Sequence, residues 1–533
     1  MQAKEAVSNR AEAAYLYDKL QERVLARDQI GASETYYDLL RAGRPVREIM
    51  AEGIRIHAPY THVPYHERID DGFVNFVNND HCLLSARAGL HLARMMPDRL
   101  AALPMAQTIW YIPTGLDIWN QKLGRAPGHY TRAYKSQPGN MVAPQVFWQD
   151  QSPERLDGPL RDRLNHWMTL VHRGQVIDAY RVFLGLMEDT ANRREVLAEL
   201  VFAGMIDLQD RVLHNRSYTT GHKSYRARAT VEIGHALGWD NAHDVIYAGA
   251  LDIAVGPRWY STYEMASNAV MQHIEGIELH AVPYSGTTPR EREVLTQTLG
   301  LTDIEQDQLI SILIDEPEPI YIEAISRLLL AGKGPRQILD AIQVAAARIL
   351  TQTHIQTNFS VPQHCYEYCN TLAWFYDNFE HPQRLKLLYV AASFVNRNAH
   401  HQRHTGDGDP VTIRAPGGAD RLSAHQLLDR IDGAITSLDG PQGSAWIRAY
   451  LDSGADRVTL VDRLGLVATR LGNDPHNQEI AQCLLEDYRK NPSGRDRDQL
   501  LFACAQHTAT HRKYGDTLEA ARRFGEAMGV AIQ

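Results

Sequence analysis

The stretch GPRQILDAIQVAAARILTQTHIQTNFSVPQHCYEYCNTLAWFY, residues 334–376, contains the pattern that decides the fold. Ile338, Leu339, Ile342 and Ala345 are apolar at the spacing of one helix face. An irregular segment follows, and His364 then stands at the head of a second apolar stretch. The pattern predicts a helix, a loop and a second helix that a histidine opens.

The same order of features recurs in other parts of the chain. Leu197 precedes His222 by the same number of residues as Leu339 precedes His364. Each copy reads as a leading helix, an irregular loop, a helix begun by a histidine, a short turn and an apolar returning helix. The histidines in equivalent places are His81, His222, His364 and, in a weaker fourth copy, His476.

Strand-like alternation is nearly absent, and one helical hairpin of this size cannot bury its apolar stripe alone. We therefore expect an all-α fold of degenerate helical-hairpin repeats, which form either an α-solenoid-like array or a closed helical bundle. The expected units are residues 1–150, with an N-terminal helix, then 151–300, then 301–420, ending in a linker rich in histidine and glycine, and 421–533, a fourth unit or a cap.

Composition limits the class of partner. The formal net charge of −9 gives no electrostatic reason to expect nucleic acid. The polar first twenty residues do not resemble a signal peptide, and no apolar stretch approaches membrane-spanning length. Because no such stretch is found, we do not expect a membrane as a partner. Five widely spread cysteines indicate reduced thiols, so we expect a cytoplasmic protein. Glycine-rich phosphate-binding motifs are missing, so no nucleotide cofactor is expected.

The histidines of the first three copies are candidate metal ligands. The chain has 24 histidines, where average usage would give roughly a dozen. His81, His222 and His364 are the predicted ligands of a mononuclear transition metal, with iron as the first expectation, because imidazole with a nearby carboxylate suits a non-haem metal site. The same groups could instead form a general base.

The residues that follow these histidines by about one helical turn are the candidate catalytic groups. Tyr225 follows His222, while Glu367 and Tyr368 follow His364. Either tyrosine would orient or protonate a substrate, and Glu367 would supply the carboxylate. The competing structural interpretation is that each histidine closes the loop before it, since equivalent positions of a repeat can line up without converging.

Three other clusters are weaker candidates. Glu232 and His235 have the spacing of a di-iron carboxylate motif, but a convincing second motif is missing. Arginine and aromatic residues in 256–280 could hold a planar substrate, or this segment could be a packing helix. The histidines of 400–404 could bind a metal, or they could belong to an exposed linker.

The middle copy, GHKSYRARATVEIGHALGWDNAHDVIYAGAL, resembles an uncharacterised bacterial family of all-helical domains that is often fused to a Rieske 2Fe–2S domain. FVNFVNNDHCLLSA in the first copy and NFSVPQHCYEYCNTLAWFYDNF in the third extend the resemblance. More distantly, the repeated histidine-opened helices are similar to the questin oxidase family, whose members oxygenate polycyclic aromatic ketones. The chain has no Rieske motif, so the resemblance implies a separate electron-transfer protein or a reaction that needs none.

These observations favour an oxidoreductase, oxygenase-like, that acts on a small organic substrate through a histidine-based metal site. Two alternatives stay open. One is a cofactor-free oxygenase in which a histidine is the base. The other is a non-catalytic helical-repeat scaffold that binds a protein or peptide.

Overall fold

A computed structural model describes residues 2–58, 68–69, 72–73, 81–113, 151–173, 175–206, 221–254, 289–318, 320–510 and 516–532. These residues form α-helices almost throughout, which confirms the predicted all-α class. Within this part of the chain, strand is confined to the antiparallel pair β1 (Arg68–Ile69) and β2 (Gly72–Phe73). None of its helices is both long and apolar enough to cross a membrane.

The helices before residue 300 are α1 (Gln2–Leu25), α2 (Gln29–Arg41), α3 (Val46–His57), α4 (Cys82–Leu92), α5 (103–113), α6 (Leu160–His172), α7 (Val176–Glu188), α8 (Arg193–Met205), α9 (His222–Leu237), α10 (His243–Ala254) and α11 (Pro289–Leu295).

The later helices are α12 (Asp303–Asp315), α13 (Ile320–Leu330), α14 (Pro335–Thr351), α15 (Ser360–Asn378), α16 (Arg384–His404), α17 (Ala424–Thr436), α18 (Gly440–Asp452), α19 (Arg457–Arg470), α20 (Pro475–Lys490), α21 (Asp498–Thr510) and α22 (Glu519–Met528).

Four helices carry the equivalent histidines, and we call them the histidine helices: α4, α9, α15 and α20. They pack in cyclic order, because α4 contacts α9, α9 contacts α15, α15 contacts α20, and α20 returns to contact α4. Long runs of consecutive residues in each of the four are buried. The histidine helices therefore form a closed ring in the interior.

Each histidine helix is covered by the helices that flank it in sequence. The leading helices α3, α8, α14 and α19 pack against α4, α9, α15 and α20 respectively. The returning helices α10, α16 and α21 pack against α9, α15 and α20, and a hydrogen bond of 2.8 Å between the Ser85 and Thr108 hydroxyls joins α4 to α5. One apolar cluster runs through all four segments, from Leu16 to Phe524, so the predicted units share a core.

The histidine helices run in the same direction. His81 and His222 lie together at the start of α4 and α9, with ring centroids 5.3 Å apart. Further along the same two helices, His91 Nε2 lies 3.0 Å from an oxygen of Glu232. Since each residue of the second pair follows its histidine by ten positions, the two helices stay in register. The same direction holds for α15 and α20, because His364 lies beside His476 and the Asn370 side chain donates to the backbone oxygen of Cys483 over 3.3 Å. Side chains at similar distances from the four histidines therefore meet in layers.

Candidate metal centre

The local sequence places His81 and His222 at helix starts, as predicted. His81 caps α4, and its backbone N–H donates to the Tyr111 hydroxyl over 3.2 Å. His222 is the first residue of α9 and follows Gly221, which has a left-handed φ of +94°. A Cβ at position 221 would lie 2.3 Å from the hydroxyl oxygen of Tyr225, so only glycine fits both the backbone and the neighbouring ring.

His364 corrects the prediction that it opens a helix. The helix α15 begins at Ser360, one turn earlier, and His364 lies within it. Pro362 does not prevent this start, because the N–H groups of a first turn have no partner within the helix. His476 is the second residue of α20, and the Asp474 carboxylate caps this helix by accepting the His476 N–H.

The four equivalent histidines converge in the interior. We call His81, His222, His364 and His476 the histidine layer. Around the ring, the centroid distances are 5.3 Å for His81 and His222, 4.5 Å for His222 and His364, 5.3 Å for His364 and His476, and 4.2 Å for His476 and His81. Across the ring, His81 and His364 are 6.4 Å apart. All four residues are buried.

The donor atoms of three members of this layer are close enough to share an ion. His81, His222 and His364 each offer one ring nitrogen, and these three atoms lie within 4.8 Å of one another. A second such group, with atoms as close, consists of His81, His476 and Glu479. Because His81 belongs to both groups, the two sets of donors form one continuous cluster.

Acceptors hold three of the four rings through Nδ1. The Nδ1 of His81 lies 2.8 Å from Glu479 Oε2, and the Nδ1 of His476 lies 2.8 Å from Asp474 Oδ1. The Nδ1 of His364 lies 2.6 Å from the backbone oxygen of Ser360. Hydrogen bonding of one imidazole nitrogen to a carboxylate or carbonyl is how metal-ligating histidines are commonly oriented.

The structure places Tyr225 beside the histidine layer. Its ring lies 5.7 Å from that of His222 and 6.1 Å from that of His364, nearly parallel to the latter. Its hydroxyl donates to the backbone oxygen of His364. Burial raises the pKa of Tyr225 well above its usual value, and the nearby Glu367 carboxyl adds to this rise. Tyr225 therefore ties the second histidine helix to the third.

The structure does not bring the Tyr368 hydroxyl to the histidines. That hydroxyl donates to the backbone oxygen of Met205 over 2.9 Å, and the ring packs edge-on against Phe394. Tyr368 follows His364 by four residues and faces the leading helix α8 rather than the centre of the ring. This placement supports a packing role for Tyr368 and not the predicted role of orienting or protonating a substrate.

Glu367 is a buried carboxyl group three residues after His364 on α15. Its side chain is 1% exposed, and among the described residues neither carboxyl oxygen has a hydrogen-bond partner. Burial raises its pKa to about 7, although the positive charges of Arg87 and Arg228 act in the opposite direction. Glu367 can therefore take up or release a proton near neutral pH.

A second layer, made of long polar side chains, lies further along the histidine helices. Its members stand six residues after the four histidines: Arg87, Arg228, Asn370 and Gln482. Arg228 donates to Asn370 Oδ1 over 2.6 Å and to Glu486 over 2.8 Å. Although burial alone would raise the pKa of Glu232, the charge of Arg228 lowers it below its usual value. This layer is a compensated ion-pair network.

The weaker candidates do not join the centre. Glu232 accepts from His91 and Arg228, whereas the His235 ring packs against Trp239. His400 lies in the last turns of α16 rather than in a linker, with Nε2 3.0 Å from the backbone oxygen of Glu316. The aromatic candidates of 256–280 lie outside the described residues.

Sequence reasoning missed two members of the cluster. It placed His476 in the equivalent position of the fourth copy but did not propose it as a ligand, and it did not mention Glu479. The signal was present, because Glu479 follows His476 by the same three residues that separate Tyr225 from His222 and Glu367 from His364. The fourth copy resembles the other three only weakly, so this shared offset was not recognised.

Comparison of the chain with protein-family models, with curated proteins and with solved structures finds no match in any of the three, so both resemblances described above stay predictions.

Proposed function

We propose that this protein is a metal-dependent oxidoreductase, oxygenase-like, that acts on a small organic substrate. The observation that carries the proposal is the approach of one nitrogen each from His81, His222 and His364 to within 4.8 Å of one another in a buried site. Iron is the first candidate for the metal, and a separate electron-transfer protein would supply reducing equivalents.

The chemistry of the donors supports a transition metal. Neutral imidazole suits iron, copper, nickel and zinc rather than magnesium or calcium. Two protonated imidazoles with ring centroids 4.5 Å apart, such as His222 and His364, would repel each other in a site that excludes water. A divalent cation instead satisfies all the nitrogen lone pairs at once. Three imidazole ligands also leave coordination positions for oxygen or a substrate.

The residues around the cluster have separable roles in this proposal. Glu367 holds or releases a proton one helical turn away from His364, at the end of the site that faces the arginines. Tyr225 orients His364, because its hydroxyl donates to the backbone oxygen of that residue. Bound iron would supply one-electron chemistry with oxygen. All five cysteines are free and buried, which is consistent with a reducing compartment such as the cytoplasm.

One observation favours cofactor-free oxygenation as a second candidate. The contact between His81 and the Glu479 carboxylate is the arrangement that makes an imidazole a stronger base. In that case His81 would remove a proton from the substrate, and no ion would be needed. The scaffold hypothesis does not account for four buried histidines that meet at the centre of the protein.

Elemental analysis of protein purified without added metal tests the proposal. We expect a stoichiometric transition metal in the wild type, and its loss in His81→Ala, His222→Ala and His364→Ala. His381→Ala is the matched control, because His381 is equally buried and its Nε2 lies 3.1 Å from Glu199, away from the histidine layer. Circular dichroism melts check that each variant is folded.

An oxygen electrode tests the oxidoreductase part separately. Protein loaded with Fe²⁺ should consume oxygen when ascorbate is the electron donor, and the three ligand variants should not. A folded wild type that binds no metal would overturn the metal-dependent proposal and leave the cofactor-free one. Metal binding without oxygen consumption would contradict the oxidoreductase assignment and retain the metal site.

A further inference from the structure

We propose that the centre is a four-histidine site for one divalent ion, in which His476 is the fourth ligand and Glu479 and Asp474 are positioning residues. This inference rests on the proposed metal function and extends its ligand set. It starts from the position of His476, whose ring lies 4.2 Å from His81 and 5.3 Å from His364, both of them proposed ligands.

The dimensions of the ring fit a single ion. With a metal–nitrogen bond of about 2.1 Å, a coordinated imidazole has its centroid roughly 3.2 Å from the ion, so two coordinated rings lie roughly 4.5 Å apart at a right angle and roughly 6.4 Å apart on opposite sides. The four neighbouring pairs are 4.2–5.3 Å apart, and the diagonal pair His81 and His364 is 6.4 Å apart. The ring of four histidines therefore has the size of a single-ion site. The donor atom of His476 groups with those of His81 and Glu479 rather than with those of His222 and His364, so the His476 ring would turn toward the ion when it binds.

The hydrogen bonds select the ligating nitrogen. An ionised carboxylate and a backbone carbonyl can only accept, so each neutral ring that contacts one through Nδ1 must donate there. This applies to His81 with Glu479, His476 with Asp474, and His364 with the Ser360 carbonyl. In that tautomer the lone pair is on Nε2. Three rings from three different helices are thus prepared to ligate through the same atom.

The charges of the positioning residues match a divalent ion. Four neutral imidazoles leave the full charge of the cation uncompensated, which is costly in a buried site. The Glu479 and Asp474 carboxylates, both with fully buried side chains, supply two negative charges one hydrogen bond away from the ligands. The helix starts at His81, His222 and His476 add positive potential, which makes these two carboxylates more necessary.

Glu479 has two available roles, and the geometry favours positioning. Its oxygen is close enough to His81 and His476 to belong to a ligand group. However, Glu479 Oε2 lies 2.8 Å from His81 Nδ1, which is the length of a charge-assisted hydrogen bond, so this oxygen is engaged with the His81 ring. Four nitrogen ligands with an outer carboxylate therefore describe the cluster better than a second ion beside Glu479.

The test uses the full chain, stripped of metal and titrated with Co²⁺ and with Cu²⁺. We expect one ion per chain. His476→Ala should weaken Co²⁺ binding at least as much as His364→Ala does, and added imidazole should restore the wild-type visible spectrum. Glu479→Gln and Asp474→Asn should each weaken binding by about 10- to 100-fold. Pulsed electron paramagnetic resonance of the Cu²⁺ form should count four imidazole nitrogens in the wild type and in Glu479→Gln, and three in His476→Ala.

The possible results separate this inference from the function that it extends. A His476→Ala protein that binds Co²⁺ with wild-type affinity and spectrum, while His222→Ala does not, overturns the fourth ligand alone. Two ions per chain, or loss of a ligand signal in Glu479→Gln, overturns the single-ion geometry. A folded wild type that binds neither ion overturns both the inference and the metal-dependent function. His381→Ala serves as the control for loss of a buried histidine.

Discussion

The Nδ1 atom of His81 lies 2.8 Å from Oε2 of Glu479, although 398 positions of the chain separate the two residues. This contact closes the ring of histidine helices, because it joins the first of them, α4, to the last, α20. It also decides between two interpretations of the repeated histidines. In a linear stack they would lie apart, whereas in a closed ring they share one site.

Gly221→Ala should disturb the centre through Tyr225. The added Cβ would lie 2.3 Å from the tyrosine hydroxyl oxygen at a φ of +94°, so strain and displacement together should cost about 2 to 5 kcal/mol of unfolding free energy. We expect weaker Co²⁺ binding as well, because Tyr225 supports His364. Gly332→Ala is the control, since φ is also positive there but nothing lies within 4 Å. Equal metal affinity in the two variants would contradict the role given to Tyr225.

Tyr225→Phe and Tyr368→Phe form a matched pair. Each change removes a buried hydroxyl that donates to a backbone carbonyl, of His364 and of Met205 respectively. Each should lower the unfolding free energy by about 1 to 3 kcal/mol in chemical denaturation. Only Tyr225→Phe should alter the visible spectrum of the Co²⁺ form. An altered spectrum in Tyr368→Phe would show that this tyrosine acts on the centre after all.

Glu367→Gln should change how stability depends on pH in the metal-free protein. Burial raises the pKa of Glu367 from 4.5 to about 7, so between these values the unfolded chain binds fewer protons than the folded one. Wild-type stability therefore falls as pH rises from 4.5 to 7, by on the order of 3 kcal/mol from this group. Because glutamine does not titrate, the stability of the variant should lack this contribution to the pH dependence.

Urea unfolding at pH 5 and pH 8 measures this effect. The unfolding free energy of Glu367→Gln minus that of the wild type should be larger at pH 8 than at pH 5. A difference that stays constant between the two pH values would mean that Glu367 is already ionised in the folded protein at pH 5, and it would remove Glu367 as the proton carrier.

Arg228→Met should be strongly destabilising. The guanidinium is fully buried and neutralises Glu232 and Glu486, so its removal leaves two carboxylates without their main partner and should cost about 3 to 5 kcal/mol. Arg327→Met removes an exposed ion pair with Glu323 and should cost less than about 1 kcal/mol. Thermal and urea unfolding compare the two. Similar losses would show that Arg228, Glu232 and Glu486 do not form a buried network.

Local patterns predicted the helices well, and they failed at two boundaries, the start of α15 and the end of α16. The apolar spacing in 191–254 and 334–376 corresponds to α8, α9, α14 and α15. The helix α15 starts one turn before His364, with Pro362 in its first turn, where a proline is tolerated. Such boundaries depend on tertiary packing, which the spacing of apolar residues does not report.

The convergence of the histidines was not predictable from the sequence. The equivalence of His81, His222 and His364 is compatible with a stack as well as a ring, and the choice depends on contacts between α4 and α20, which no local pattern specifies. Glu479 was within reach of sequence reasoning, since it has the same offset from His476 that drew attention to Tyr225 and Glu367. Tyr368 stands four residues after its histidine, whereas Tyr225 stands three residues after its own, and a shift of one residue on a helix turns a side chain by about 100°.

The closure of the ring by α4 and α20 has a consequence for biosynthesis. His81 leaves the ribosome 398 residues before Glu479, and at the usual speed of synthesis this interval lasts roughly 20 to 80 s. During that time the histidine helices already synthesised have no fourth member to shield them, and their imidazoles are exposed to any metal available in the cell. The ring can select its ion only after the last segment has emerged, so we expect metal acquisition to be a late, post-translational step, and nascent chains stalled before residue 476 to bind metal less selectively than the finished protein does.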